Sequence, residues 1–160
     1  MHRGEEMSDK IDETDLMILK ELRENCKQPV KELAKSLKIH PNTLLQRIKK
    51  LEKQKVIIRY TAEVDFRKLG YDLHAIIMGE VRKGRVGDQE QLNEVARMPQ
   101  VQYLYAVTGA YDVIASVRVK NRDELVSVLG KIGQHPIIEK TMTHIVLFSY
   151  KHPYEFNPLM

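Results

Sequence analysis

The 160-residue sequence has a single cysteine, no tryptophan and no long apolar run. Because Cys26 has no second cysteine to pair with, an internal disulfide is impossible and a reducing, intracellular setting is favoured. No segment approaches the roughly 18 apolar residues of a membrane span, and residues 1–10 lack the apolar stretch of a secretory signal. These absences argue against secreted disulfide-rich and membrane-spanning proteins, and they predict a cytoplasmic location.

Positive charge is concentrated in one part of the chain. The net charge of +4 is mild, but 10 lysines and arginines lie between Lys27 and Arg59 against only Glu32 and Glu52. After Tyr60 the charges balance. This uneven distribution of charge is what a protein needs if one part neutralises phosphates and the other part self-associates or binds a small molecule. Charge alone leaves open the alternative of an ordinary solvated basic face.

The first 55 residues have the periodicity of three short helices. The carboxylates of Asp12 and Asp15 lie where helical N–H groups are unpaired, so a helix is predicted to begin there. A second helix is predicted over about 29–37 and, after a short turn, a third over 41–53, opening on Pro41. The three stripes comprise Ile11, Asp15, Ile18 and Leu22, thickened by Leu19; Val30, Leu33, Ala34 and Leu37; and Leu44, Ile48 and Leu51. Residues 11–55 are therefore predicted to form an all-α, winged-helix-like helix-turn-helix DNA-binding domain behind a flexible tail, residues 1–10.

The face of the third helix opposite its apolar stripe is predicted to contact DNA. At about 100° per residue, this face and its flanks carry Asn42, Thr43, Leu45, Gln46, Lys49, Lys50 and Lys53. Asn42 and Gln46 can each donate to and accept from an adenine edge, whereas the three lysines suit phosphates. The alternative is an ordinary surface helix of a bundle.

Arg47 has two possible roles. It lies about 60° from the apolar stripe by the same helical arithmetic. From there its guanidinium can read a base edge, or it can lie along the domain surface and hold a carboxylate or a phosphate. The residues alone favour neither role.

Beyond Lys55 the period changes to strict alternation. Ile58, Tyr60, Ala62, Val64 and Phe66 alternate with polar side chains, which predicts a half-buried strand. Because a lone strand has unpaired edges, we expect it to pair with the same strand of a second subunit. Residues 56–72 are therefore predicted to form a linker strand and hinge.

Residues 73–150 are predicted to fold as strand, helix, strand, strand, helix, strand. The strands are expected over 73–82, 101–107, 113–119 and 137–150, with a turn at Arg85–Asp88, a loop at 108–112 and a helix start at Asn121. Two βαβ-type units with both helices on one face give a ferredoxin-like α+β domain. Residues 151–160 are left as a C-terminal tail.

Four segments in order resemble the Lrp/AsnC family of transcription regulators. They are Ile11–Asp15 with the helix after it, the third helix Pro41–Glu52, the linker Val56–Tyr60 and the loop Thr108–Asp112. The resemblance spans essentially the whole chain. It implies a dimer through the C-terminal sheets, often assembled into tetramers, octamers or larger discs. It also implies an amino-acid effector near the loop.

The resemblance assigns effector binding to Thr108, Gly109, Ala110, Tyr111 and Asp112. Gly109 permits close backbone approach to a carboxylate, Tyr111 offers an apolar ring with a hydroxyl, and Asp112 can pair with an ammonium. Glycine and aspartate are equally favoured in a plain hairpin turn, which is the alternative. No cofactor and no metal site are predicted.

Three positions depart from the family pattern. Lys38 and Lys55 stand where relatives commonly have glycine, and His40 replaces the usual serine cap. Because lysine disfavours positive φ, we expect an altered turn or local strain at these two lysines.

The sequence therefore predicts a sequence-specific, effector-responsive transcription regulator. One alternative is an architectural, DNA-compacting protein with little sequence preference and no effector. A remote alternative is a metabolite-binding enzyme domain, since ferredoxin-like folds also host catalysis. The six histidines and Cys26 show no metal-ligand or nucleophile spacing, so no catalytic residue is predicted.

Overall fold

A computed structural model describes residues 10–82, 88–151 and 155–159. The chain divides into two compact units, one formed by 1–63 with 151–160 and the other by 64–150. Residues 1–9 of the predicted tail and residues 85–87 of the predicted turn lie outside the described residues. Within the described ranges, no helix has the length and apolar character required to cross a bilayer.

The first unit is built on three helices, as the sequence predicts. They are α1 (Glu13–Glu24), α2 (Val30–Ser36) and α3 (Pro41–Lys53). A capping box between Asp12 and Asp15 starts α1, since each side chain accepts from the other's backbone N–H. One apolar residue or pair from each helix is fully buried in a shared core of Ile18, Leu33, Ala34, Leu44 and Leu51.

Helices α2 and α3 end in the same way, with a lysine in the left-handed conformation. Lys38 and Lys55 both have φ of 56°. At α2, Lys38 N–H donates to Lys35 O and Ile39 N–H to Ala34 O; at α3, Lys55 N–H donates to Glu52 O and Val56 N–H to Leu51 O. Each pair of bonds is a Schellman motif, which normally places glycine at this position. The expected strain is therefore present, and neither turn is altered.

The C-terminal residues that the structure describes pack on the first unit. The Arg23 guanidinium donates to the carbonyl oxygen of Phe156 at 2.6 Å, and the Asn157 amide donates to the Glu24 carboxylate at 3.1 Å. Both contacts hold the chain at the C-terminal end of α1. Residues 155–159 thus contribute to the helical unit.

The linker strand predicted over Ile58–Phe66 does not form within the chain. Residues 58–65 pair with no described strand, and a 3-10 helix follows at Phe66–Leu69, ending at Gly70 with φ of 83°. Residues 58–66 are all exposed, Ile58 to 85%, because the single chain offers this segment no strand partner. The Tyr60 hydroxyl instead donates to the Glu52 carboxylate of α3 at 2.9 Å.

The second unit is the predicted ferredoxin-like sandwich. Its elements are β1 (Leu73–Val81), α4 (Gln89–Ala96), β2 (Val101–Ala106), β3 (Val113–Val119), α5 (Arg122–Gly133) and β4 (Ile138–Ile145). The four strands form an antiparallel sheet in the order β2-β3-β1-β4. Odd-numbered residues of β1 and β3, such as Ile77 and Val117, are buried in one core with Val95 of α4 and Val128 of α5. The opposite face of the sheet carries Ile76, Met78, Ile114 and Met142.

The last strand is shorter than the predicted 137–150. Strand β4 pairs with β1, whose residue Ala75 lies opposite Ile145, so little of β1 remains beyond that point for residues 146–150 to pair with. Leu147, Phe148 and Tyr150 are accordingly 77–97% exposed. The alternation of apolar residues located strand β4, but it could not show that its partner β1 is too short to pair with residues 146–150.

Replacing Lys38 or Lys55 by glycine should stabilise the helical unit. A left-handed lysine costs about 1–2 kcal/mol, and glycine relieves this while adding about 0.5–1 kcal/mol of unfolded-state entropy. We expect each substitution to raise the free energy of unfolding by about 0.5–1 kcal/mol, measured by urea denaturation followed by helical circular dichroism. Lys20→Gly, at an exposed position in the middle of α1, is the control and should destabilise by a similar amount. Glycine variants no more stable than the parent would contradict the assignment of strain.

Candidate functional site

One exposed stripe of α3 combines polar and apolar side chains. Asn42, Leu45, Gln46 and Lys49 follow the spacing i, i+3, i+4, i+7 and line a single shallow depression. All four are exposed. Among the described residues, no hydrogen-bond partner engages the amide of Asn42 or Gln46. Both amides therefore retain their full donor and acceptor capacity for a ligand.

The N-terminal turn that presents this stripe is capped by His40. Its Nδ1 accepts from the backbone N–H of Asn42 at 3.2 Å, and Pro41 occupies the first helical position. The histidine thus takes the place of the serine cap common in the resembling family. Its ring satisfies one of the N–H groups that a helix start leaves unpaired.

Arg47 is held by two carboxylates of α1's first turn. Its Nη1 lies 2.7 Å from Asp12 Oδ2 and 2.7 Å from Asp15 Oδ1. The Asp15 side chain is fully buried, whereas that of Arg47 is 29% exposed. Of the two roles predicted for Arg47, the structure places the side chain in the carboxylate-holding one.

These contacts shift the pKa values of the exposed partners. The pKa of the Asp12 carboxyl lies below its usual value because it accepts from the Asp15 backbone N–H and, second, from Arg47. The pKa of the Arg47 guanidinium is raised by its hydrogen bonds to Asp12 and then Asp15. Both shifts favour the charged forms, so the ion pair persists at neutral pH.

The three lysines of α3 differ in their surroundings. Lys50 Nζ lies 3.7 Å from Asp15 Oδ2 and donates to the carbonyl of Lys10, so it is partly committed within the unit. Lys49 and Lys53 are exposed, as is Thr43. The predicted DNA-contacting set therefore splits into exposed side chains and two cations, Arg47 and Lys50, that neutralise a buried acid. Sequence reasoning missed Asp15 as the centre of this cluster, although a carboxylate on an apolar stripe was a signal for it.

The predicted effector loop lies between β2 and β3. Thr108, Gly109 and Ala110 are exposed, and Gly109 has φ of 126°, a conformation that side-chain-bearing residues rarely adopt. The Tyr111 hydroxyl donates to the sulfur of Met142 on β4 at 3.2 Å, which fixes one end of the loop against the sheet.

Asp112 has a structural contact that the sequence did not reveal. Its Oδ2 accepts from the backbone N–H of Val81 at 2.7 Å, and its own N–H donates to the carbonyl of Gly79. The register of β1 against β4 shifts between Glu80 and Val81, so the carboxylate satisfies an N–H at this irregularity. One carboxylate oxygen of Asp112 is thus engaged within the fold.

Two family models match the chain. The model described as "Lrp/AsnC ligand binding domain" matches residues 75–156, and "Winged helix-turn-helix DNA-binding" matches residues 11–58. The chain is similar to the HTH-type transcriptional regulator FL11 of Pyrococcus horikoshii, with 36% identity over 91% of this chain and 95% of the relative. It is also similar to the HTH-type transcriptional regulator LysM of Saccharolobus solfataricus, with 33% identity over 80% of this chain and 92% of LysM.

Solved structures have the same fold. E. coli AsnC superposes with a TM-score of 0.82 at 29% identity, over 89% of this chain and 96% of AsnC. An L-Met complex of a transcriptional regulator from Neisseria meningitidis superposes with a TM-score of 0.83 at 26% identity, over 89% of this chain and 94% of that one.

Removing the guanidinium of Arg47 should destabilise the helical unit. Arg47→Ala leaves the buried Asp15 carboxylate with only Lys50 nearby, and a buried charge that loses its partner costs about 3–5 kcal/mol. Because Arg47 is partly exposed and Lys50 remains, we expect a loss of about 2–3 kcal/mol in the free energy of unfolding, measured in urea. Lys53→Ala is the control and should change stability by less than about 0.5 kcal/mol. A double variant, Asp15→Leu with Arg47→Met, should recover most of the loss; if it does not, the pair is not the cause.

Proposed function

Since this chain belongs to the Lrp/AsnC family of transcription regulators, we propose that it binds a pseudo-palindromic operator as a homodimer or larger assembly. An amino-acid effector controls this binding. It has a helix-turn-helix DNA-binding region and a ligand-binding domain. The observation that carries the proposal of sequence specificity is the free stripe of Asn42, Leu45, Gln46 and Lys49 on α3. A helix of this kind enters the major groove, where base edges are distinguishable.

Within this proposal the residues of α3 divide by task. Asn42 and Gln46 contact base edges, with Thr43 and Leu45 beside them, while Lys49 and Lys53 contact phosphates. Arg47 and Lys50 reach the DNA only by exchanging a carboxylate of α1 for a phosphate. The first group supplies discrimination between sequences, and the lysines supply affinity for any sequence.

Self-association is supported by the apolar surface that the single chain leaves uncovered. The sheet face opposite the helices carries Met142, which is 43% exposed, and the linker carries Ile58, which is 85% exposed. We place the dimer contact on this sheet face and on the linker, residues 56–72, with larger assemblies such as tetramers or octamers built from such dimers. Two copies of α3 related by a two-fold axis then contact two half-sites.

The effector proposal is supported by the loop and by a relative. The Neisseria regulator of the same fold was solved as an L-Met complex. We assign the corresponding function here to Thr108, Gly109, Ala110, Tyr111 and Asp112. Because Asp112 already accepts from Val81, the exposed backbone of 108–110 and the Thr108 hydroxyl are the parts of the loop that receive the amino acid.

Selection of bound sequences from random duplex DNA at about 150 mM salt tests the proposed specificity. A regulator should enrich one two-fold symmetric site and prefer it over scrambled duplexes by about 10³-fold or more. Equal affinity for all duplexes would instead support an architectural, DNA-compacting protein. An enriched site without two-fold symmetry would contradict the dimer.

The effector is tested by repeating the selected-site titration with a pool of the 20 amino acids. Binding one effector should change the affinity for the site or the assembly size, and Thr108→Ala should reduce that change. Ser127→Ala, at an exposed position on α5, is the matched control and should respond as the parent does. No response to any amino acid would leave the loop as a turn and refute the effector proposal.

Gln46→Ala and Lys49→Ala should impair DNA binding in different ways. Lys49→Ala should weaken binding to all sequences and flatten the dependence of log affinity on log salt by about 1 per subunit, because one phosphate contact is lost. Gln46→Ala should mainly reduce the ratio of specific to non-specific affinity. Lys20→Ala, exposed on α1, is the control for lost charge, and both quantities should stay unchanged in it. The reverse pattern would show that the faces of α3 are misassigned.

A further inference from the structure

We propose that Leu45 recognises the 5-methyl group of a thymine, so that the operator base pairs beneath the first half of α3 are A·T. This inference rests on the proposed function, sequence-specific DNA binding through α3. It names the bases that this helix selects and the side chain that selects one of them.

The position of Leu45 on α3 makes it a base contact if α3 enters the groove. It is 40% exposed and lies on the same stripe as Asn42, Gln46 and Lys49, in the same depression. The buried residues Leu44 and Leu51 already supply the contact of α3 with the core. Leu45 is thus an apolar side chain placed among free amides, in the half of the helix that meets base edges.

The chemistry of the groove then determines which base Leu45 tolerates. Guanine presents two acceptors, cytosine an amine donor, and adenine one of each, and each loses hydration without compensation beneath a leucine. Thymine also presents one acceptor, its O4, but it alone presents a methyl group, which gains by leaving water. A leucine at this position therefore favours thymine and disfavours the other three bases.

The neighbouring side chains favour the same base pair. The amides of Asn42 and Gln46 pair well with adenine, in both cases through its N6 and N7. Guanine is most often recognised by arginine or lysine. The one arginine of α3, Arg47, is held by Asp12 and Asp15, and Lys49 lies in the second half of the helix. The exposed stripe has no carboxylate to accept from cytosine. All of these features favour A·T pairs under this part of α3.

The test replaces thymine by deoxyuridine in the selected operator, because the two differ only by the 5-methyl group. Each thymine of a half-site is exchanged in turn, symmetrically in both half-sites, and the dissociation constant of the full-length protein is measured. One exchange should weaken binding about fourfold per half-site, the factor for one methyl group leaving an apolar contact. In Leu45→Ala the same exchange should not change the dissociation constant. Leu45→Met keeps an apolar side chain of similar length, so its binding should still be weakened by the exchange.

A control variant and four outcomes separate this inference from the proposed function. Leu16→Ala removes an equally exposed leucine from α1, where Leu16 is 42% exposed, and it should keep the full sensitivity to deoxyuridine. If no exchange weakens binding of the parent, or if the effect survives in Leu45→Ala, the role of Leu45 is refuted while the regulator remains. If the selected half-site has no A·T pair at these positions, the inference is likewise wrong. If selection yields no preferred site at all, the proposed function itself fails.

Discussion

A fully buried carboxylate, that of Asp15, constrains the whole helical unit. A buried charge needs a cation and hydrogen bonds, and α3 supplies both through Arg47 and, at a longer distance, Lys50. Two of the four cations of α3 are thereby drawn towards α1. Together with the burial of Leu44 and Leu51, the ion pair fixes the rotation of α3 about its own axis, and this rotation leaves the stripe from Asn42 to Lys49 facing outward.

The ends of the helices are fixed by apolar contacts as much as by hydrogen bonds. After each left-handed lysine comes an apolar residue, Ile39 or Val56, that packs against the core of the unit. This contact is the usual companion of a Schellman motif. It explains why lysine can occupy a glycine conformation at Lys38 and Lys55: the packing on either side over-determines the backbone, and the strain is tolerated.

The sequence predicted most of the fold because its signals were local. Pro41 and the apolar period gave the bounds of α3, and alternation located the strands of the second unit. It failed where the answer depended on a distant partner. The length of β4 is limited by β1, the role of Arg47 depends on where α1 places its carboxylates, and Asp112 bonds to Val81, 31 residues away. The local periodicity of the sequence carries no information about any of these long-range contacts.

The segment after β4 makes one unit discontinuous in sequence: the helical unit is formed by two segments of the chain and the other unit by one. Residues 155–159 contact Arg23 and Glu24, so the helical unit is assembled from both ends of the sequence and the ferredoxin-like domain is inserted between its two parts. The two units therefore cannot be separated by a single cut in the chain. A cut just after residue 150 would leave the compact unit of residues 64–150 whole and would remove a piece of the helical unit.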